Sequence, residues 1–164
     1  MKPVMTLTGV SRRFRRGSET VIALDGVHLE LFAGEVTVAA GPSGSGKTTL
    51  LSIMAGLDAP DAGTVSTNAP LPSGVPPGSL GWRHLAFVPQ APSLLDELTV
   101  RENVDLPAIL APPNDAGRDE LEKLLALLEI EHLGDRYPSL TSGGEQQRTA
   151  LGRALRLRPP VLIG

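Results

Sequence analysis

The sequence predicts an α/β chain, and three features carry that prediction. A glycine-rich loop, Gly41-Pro42-Ser43-Gly44-Ser45-Gly46-Lys47-Thr48, is preceded by a short apolar, β-branched run and followed by a helix pattern. The first third of the chain alternates apolar and polar residues as strands do. Residues 92–158 are leucine-rich at helical spacing. A length of 164 residues suits one domain, or one domain with a small subdomain.

Val4 to Val10 alternates and predicts a strand. Arg12-Arg13-Phe14-Arg15-Arg16 follows, with three readings open: a contact to nucleic acid or acidic lipid, a solvated strand end, or an aromatic that stacks on a base. Gly17-Ser18-Glu19 is a turn. Val21-Ile22-Ala23-Leu24 and Val27-His28-Leu29-Glu30-Leu31 are strand segments broken at Asp25-Gly26. His28 has no ligand types beside it and reads as structural. Ala33-Gly34-Glu35 turns into Val36-Thr37-Val38-Ala39-Ala40, whose unbroken apolar character predicts a buried strand. Thr49 to Ala55 is the helix that follows the loop.

The loop reads G-x-x-x-x-G-K-[ST], a phosphate-binding pattern with its expected strand–loop–helix context. Gly44 and Gly46 let the backbone enter conformations closed to other residues and come close to phosphate oxygens. Successive N–H groups then form an anion-binding nest, aided by the helix dipole. Lys47 brings a compact positive charge to the phosphates, and the Thr48 hydroxyl is placed to ligate Mg²⁺.

Beyond that helix, Gly56 to Gly63 is dense in breakers and predicts a loop, and Thr64-Val65-Ser66 a short strand. Residues 68–79 hold four prolines and two glycines, which predicts an irregular surface loop of low order. His84 to Val88 predicts a second buried strand, ending at Pro89-Gln90, where α/β sheets bind ligands. Thr99 caps a short helix over Val100–Val104. Asp119 to Leu128 places Leu121, Leu124, Leu125 and Leu128 on one face of a core-facing helix. His84 and His132 read as structural or exposed. Ser142-Gly143-Gly144-Glu145-Gln146 is a second glycine turn, leading into a helix from Gln146 to Leu157 and offering a second anion site. Arg148, Arg153, Arg156 and Arg158 suit the C-terminal end of its dipole, and Pro159-Pro160 stops it. Val161-Leu162-Ile163 starts a buried strand.

With 41% hydrophobic and 20% charged residues, the balance is that of a soluble globular chain. A net charge of −3 argues against a general affinity for nucleic acid or anionic membrane. There is no cysteine, which excludes disulfides and cysteine-based metal sites. No apolar run approaches the ~18 residues that span a bilayer, and the N-terminus lacks a signal-peptide pattern. Membrane association is therefore expected only through a partner.

The phosphate loop, Gln90 after Phe87-Val88-Pro89, and Ser142-Gly143-Gly144-Glu145-Gln146 about 95 residues past the loop form a specific set. Together they resemble the ATP-binding subunits of ABC transporters, over essentially the whole chain. The resemblance implies a P-loop NTPase core with an antiparallel β subdomain and an inserted helical subdomain. The division expected is a core over residues 1–91, a helical subdomain over 92–158 and the start of the Walker B strand over 159–164. It implies that ATP is held by Gly41, Pro42, Ser43, Gly44, Ser45, Gly46, Lys47, Thr48 and Thr49, with Phe14 against adenine. Gln90 is the implied Q-loop residue, sharing Mg²⁺ with Thr48 and sensing a transmembrane permease. Ser142, Gly143, Gly144 and Gln146 are the implied signature residues, reaching ATP on an opposing subunit of a head-to-tail dimer. The implied location is the cytoplasmic face of the cell membrane, peripheral, through the permease, with no nucleic-acid partner. Thr48-Thr49-Leu50-Leu51, Ala55-Gly56-Leu57-Asp58 with Pro60, and Leu98-Thr99-Val100-Arg101-Glu102-Asn103-Val104 with Leu106-Pro107 resemble the lipoprotein-release, macrolide-export and cell-division branch.

The sequence departs from the family pattern in places. Thr141 stands where the signature usually opens with Leu, and Pro89 where an aromatic or aliphatic residue usually precedes the Gln. Val161-Leu162-Ile163-Gly164 looks like the apolar strand of the Walker B motif, and its acidic residues are not among the 164. The expectation is a truncated cassette with the C-terminal part of the core missing and no catalytic residue within the chain. Such a chain binds nucleotide without useful hydrolysis. A carboxylate would be needed to orient the attacking water, and Glu145 is expected to face solvent or a dimer partner instead. The alternatives are a non-catalytic nucleotide-binding fragment, a soluble ABC-type ATPase of translation or DNA repair, and a P-loop GTPase or kinase. The last lacks an Asn-Lys-x-Asp motif and leaves the Ser-Gly-Gly turn unexplained.

Overall fold

The computed structural model describes residues 2–111 and 117–164. They fall into two compact units: the described residues up to Leu80 with Ile163, and Gly81–Leu162 with Gly164.

The first unit is an antiparallel sheet with one helix. Strands β1 (Met5–Arg16), β2 (Glu19–Leu31) and β3 (Ala62–Thr67) lie in the order β2-β1-β3, with β1 antiparallel to both neighbours. The alternation accounts for the buried Met5 and Leu7, and the register shift between Leu7 and Val10 turns Val10 inward as well. Helix α1 (Lys47–Met54) adds Ile53 and Met54 to the same core.

Several expectations are corrected in this unit. The arginine run continues β1, with Arg12 half-buried and Arg13, Phe14, Arg15 and Arg16 exposed. The break at Asp25-Gly26 does not divide β2. It is absorbed by register shifts opposite Val10 and Arg12, with Gly26 at φ 61 and its N–H donating to Ser11 Oγ at 2.9 Å. Residues 68–79 are irregular but anchored. Leu71 and Pro77 are buried, and the Thr67 hydroxyl bonds the Pro72 and Val75 carbonyls at 2.7 and 3.0 Å.

The largest correction concerns Val36-Thr37-Val38-Ala39-Ala40. It is not a strand, and Val36 and Val38 are 93% and 78% exposed. A buried central strand needs a ladder on both edges and a layer on each face. Among the described residues no strand pairs with this run, so its apolar pattern goes unanswered.

The second unit is mainly helical. Strands β4 (Leu85–Phe87) and β5 (Val161–Ile163) pair as a two-stranded sheet. Helices α2 (Val100–Leu110), α3 (Arg118–Leu127) and α4 (Gly143–Leu155) pack around Val100, Val104, Leu121, Leu125, Ile130 and Leu133. The leucine face read from the sequence supplies this core, with Leu124 and Leu128 packed against it. Helix α2 runs past the expected Val104, through a buried Pro107, to Leu110. Helix α4 starts at Gly143, not Gln146, because Ser142 caps it. Its arginines have specific partners beyond the dipole. Arg156, buried, donates to Asp105 at 2.8 Å, and Arg158 pairs with Glu120 at 3.0 Å. Among the described residues no helix is long and apolar enough to cross a membrane.

Candidate functional site

The glycine loop occupies the first unit, and its geometry follows from its residues. Gly44 and Gly46 hold φ of 79° and 88°, in the left-handed region that only glycine enters freely. Gly46 has a second constraint, since a Cβ there would overlap the backbone carbonyl of Ala23. Helix α1 begins directly after it, and its first intrahelical bond runs from Leu50 N–H to the Gly46 carbonyl at 2.9 Å. The amides of Lys47, Thr48 and Thr49 therefore open from the helix start with no helical acceptor. Lys47 Nζ folds back on the loop, donating to the Gly41 and Pro42 carbonyls at 2.9 and 2.7 Å and to Ser45 Oγ at 3.3 Å. All three partners are uncharged. Residues 41–49 contain one cation and no acid. Free amides, a helix N-terminus and an ammonium without a carboxylate partner form a donor set that fits a polyphosphate.

The other loop residues of the reading, Pro42, Ser43 and Thr48, are exposed, and Thr49 is half-buried in the first turn of α1. Among the described residues no cluster of three or more His, Asp or Glu could hold a metal by itself. Phe14 lies in the same unit, on β1 opposite Val21, 40% exposed, with the Arg12 guanidinium 4.9 Å from its ring centroid.

Gln90 and the second glycine turn belong to the second unit. Gln90 is exposed in the turn after β4. Ser142 is the N-cap of α4 in a reciprocal capping box. Its Oγ accepts from Glu145 N–H at 3.4 Å, while Glu145 Oε2 accepts from the Ser142 N–H at 2.6 Å and hydroxyl at 2.8 Å. Glu145 is thus engaged at its own helix start and remains accessible to solvent there. The Ser142 N–H, and then the hydroxyl, hold its pKa below the ordinary glutamate value. The Gln146 side chain is also committed inward, with Nε2 donating to the Pro138 and Thr141 carbonyls at 2.9 and 3.3 Å. Thr141, the departure before the turn, has its hydroxyl satisfied by Pro138 at 2.8 Å. Gly143 and Gly144 form the exposed first turn of α4. A Cβ at Gly143 would meet nothing within 4 Å, so its own packing does not demand a glycine there.

Three supporting residues were missed in the sequence. Asn103 is fully buried; its Oδ1 accepts from Leu95 N–H at 2.9 Å, and its Nδ2 reaches the carbonyls of Leu95, Leu98 and Thr99 at 2.9 to 3.0 Å. The available signal was its place on the apolar face shared by Val100, Val104 and Pro107. Arg153 donates to the carbonyls of Pro92 and Ser93, both at 3.0 Å, and so ties the segment after Gln90 to α4. The third, Arg12, appeared only as part of a basic run.

Comparison with known proteins places these motifs. The model of the ABC transporter family matches residues 24–164. The lipoprotein-releasing system ATP-binding protein LolD of Gluconobacter oxydans is 42% identical over 164 residues, covering 97% of this chain and 71% of that protein. The sulfate/thiosulfate import ATP-binding protein CysA of Bradyrhizobium diazoefficiens is 44% identical over 147 residues, covering 86% of this chain and 42% of that protein. The macrolide export ATP-binding/permease protein MacB of Burkholderia thailandensis is 39% identical, and 94% of this chain covers 24% of it. The chain thus spans about two fifths of CysA and less than three quarters of LolD. Among solved structures, the dimeric post-hydrolysis state of the ATP-binding cassette MJ0796, bound to ADP and Pi, superimposes with a TM-score of 0.81 at 33% identity. That match covers 96% of this chain and 72% of the cassette. The resemblance to lipoprotein-release and macrolide-export proteins is borne out, and import proteins match at nearly equal identity. With the loop, the capped glycine turn and the fold in agreement, the chain belongs to the ABC transporter family.

Proposed function

We propose that this chain binds ATP with Mg²⁺ and is the ATP-binding part of a subunit that couples ATP binding and hydrolysis to a separate membrane permease. The observation that carries the reading is the glycine loop. Its helix-start amides and the Lys47 ammonium converge with no acidic residue among them. Lys47, now resting on neutral carbonyls, exchanges them for phosphate oxygens, with which it forms stronger charge-assisted bonds. The Thr48 hydroxyl would help hold Mg²⁺, which supplies charge neutralisation on the phosphates. Gly143 and Gly144 leave the start of α4 bare, which suits close approach by phosphates held on a second copy in a head-to-tail dimer. The permease partner and a peripheral place on the cytoplasmic face rest on the transport proteins among the relatives; the MacB protein is described as both ATP-binding and permease. No nucleic-acid partner is proposed.

Calorimetric titration with ATP and Mg²⁺ tests the reading. Lys47→Ala should weaken binding by roughly 10- to 100-fold, the value of a hydrogen bond to a charged group. Equal affinity in the two proteins overturns it.

A further inference from the structure

Arg12 is unlike the other arginines of its run. Its Nε and Nη2 donate to the two carboxylate oxygens of Asp58 at 3.0 and 2.8 Å, and its Nη1 donates to Asp61 Oδ1 at 2.8 Å. The second Asp61 oxygen accepts from the Arg13 backbone N–H at 2.7 Å, and Asp61 N–H donates to the Ser11 carbonyl at 2.9 Å. Two carboxylates from the segment between α1 and β3 therefore clamp the guanidinium, which stands over the Phe14 ring.

We propose that Arg12 is a positioning and specificity-determining residue for the nucleotide base. Held by Asp58 and Asp61, it fixes the Phe14 ring from one face and leaves the other to stack on a purine. The inference rests on the reading of Phe14 as the base-stacking aromatic. Two physical effects act together. A clamped cation removes rotamer freedom from an exposed ring, so less is lost when a base docks. It also draws electron density toward the covered face, which makes the open face a better partner for an electron-rich purine.

The strand pairing connects this ring to the phosphate loop. Arg12 pairs with Leu24 and Arg13 with Ile22, so Ala23 is the extra residue of a bulge. The Ala23 carbonyl is the group against which Gly46 is packed. The ribbon that holds the ring is therefore the same one that backs the start of α1. Arg12 acts on the base and Lys47 on the phosphates, from one support.

Calorimetry with two ligands, ATP and inorganic tripolyphosphate, separates the two roles. Arg12→Ala should weaken ATP roughly two- to fivefold, the range for an exposed cation–π contact, and leave tripolyphosphate unchanged. In a Phe14→Ala background the same substitution should have no further effect. Asp58→Asn with Asp61→Asn, which frees the cation without removing it, should give part of the ATP loss. It also serves as the second variant if Arg12→Ala melts early. A loss equal for both ligands, or a loss that persists without Phe14, overturns the proposal. If Phe14→Ala leaves ATP binding unchanged, the stacking reading itself is overturned, separately from the phosphate loop tested by Lys47.

Discussion

At the scale of single residues, the site depends on side chains whose own bonds are already made. Lys47 is poised on loop carbonyls and Ser142 on Glu145, so both proposed phosphate sites are ordered by bonds within the chain. Asn103 does the same for the segment between β4 and α2. Its four bonds replace a ladder that residues 95–99 do not have. Asn103→Ala leaves the Leu95 N–H and the Leu98 carbonyl without their side-chain partner, while the Leu95 and Thr99 carbonyls keep the backbone N–H groups of Leu98 and Asn103. It should lower stability by about 1–3 kcal/mol, the cost of an unsatisfied buried polar group, read as a lower denaturant midpoint with an unchanged slope. An unchanged midpoint would show that water replaces the amide. The long-range partners are too far apart in sequence to be read from spacing. Arg12 finds Asp58 across 46 positions, and Arg153 finds Pro92 across 61.

At the scale of elements, what depended on neighbours three or four residues away was legible. The leucine face of α3 and the Thr99 cap of α2 came directly from the pattern, as did the strand β3. The Ser142-Gly143-Gly144-Glu145 stretch reads as a turn because of its two glycines; the capping box outweighs their poor helix propensity and brings them into α4. What depended on pairing was not legible. Val36–Ala40 has the composition of a buried strand, but composition cannot supply the ladder that buries one. The cap also makes α4 sensitive to acid. Because the folded-state pKa of Glu145 is lowered, its contribution is complete above the ordinary glutamate value. It is lost as the pH falls through the lowered value. Glu145→Gln should therefore melt below the parent at neutral pH, and the gap should close as the pH falls below the ordinary glutamate range. A gap that stays constant with pH would assign the loss to packing instead of the carboxylate.

At the scale of the whole molecule, one chain carries two glycine-bearing helix starts that face solvent. One is backed by Lys47. The other, at Gly143-Gly144, has neither a cation in its first turn nor an internal packing need for glycine at Gly143. A site that binds phosphate weakly alone gains by sharing a ligand already held elsewhere, and a two-fold arrangement makes that exchange reciprocal. Two solved cassettes similar to this chain in fold, at TM-scores of 0.81 and 0.82, are described as dimeric. The absence of cysteine makes the arrangement easy to probe, since any introduced thiol is the only one present. Ser43→Cys labels the phosphate loop, and Gln147→Cys labels the exposed side of α4 without touching the cap. Mixed with ATP and a short bis-maleimide, the two single-cysteine proteins should yield a covalent dimer joining Cys at 43 to Cys at 147. Neither protein alone should do so efficiently, and Lys47→Ala should abolish the product. A yield independent of ATP, or dimers formed mainly between two copies of the Ser43→Cys protein, would leave the second helix start without a role in nucleotide binding.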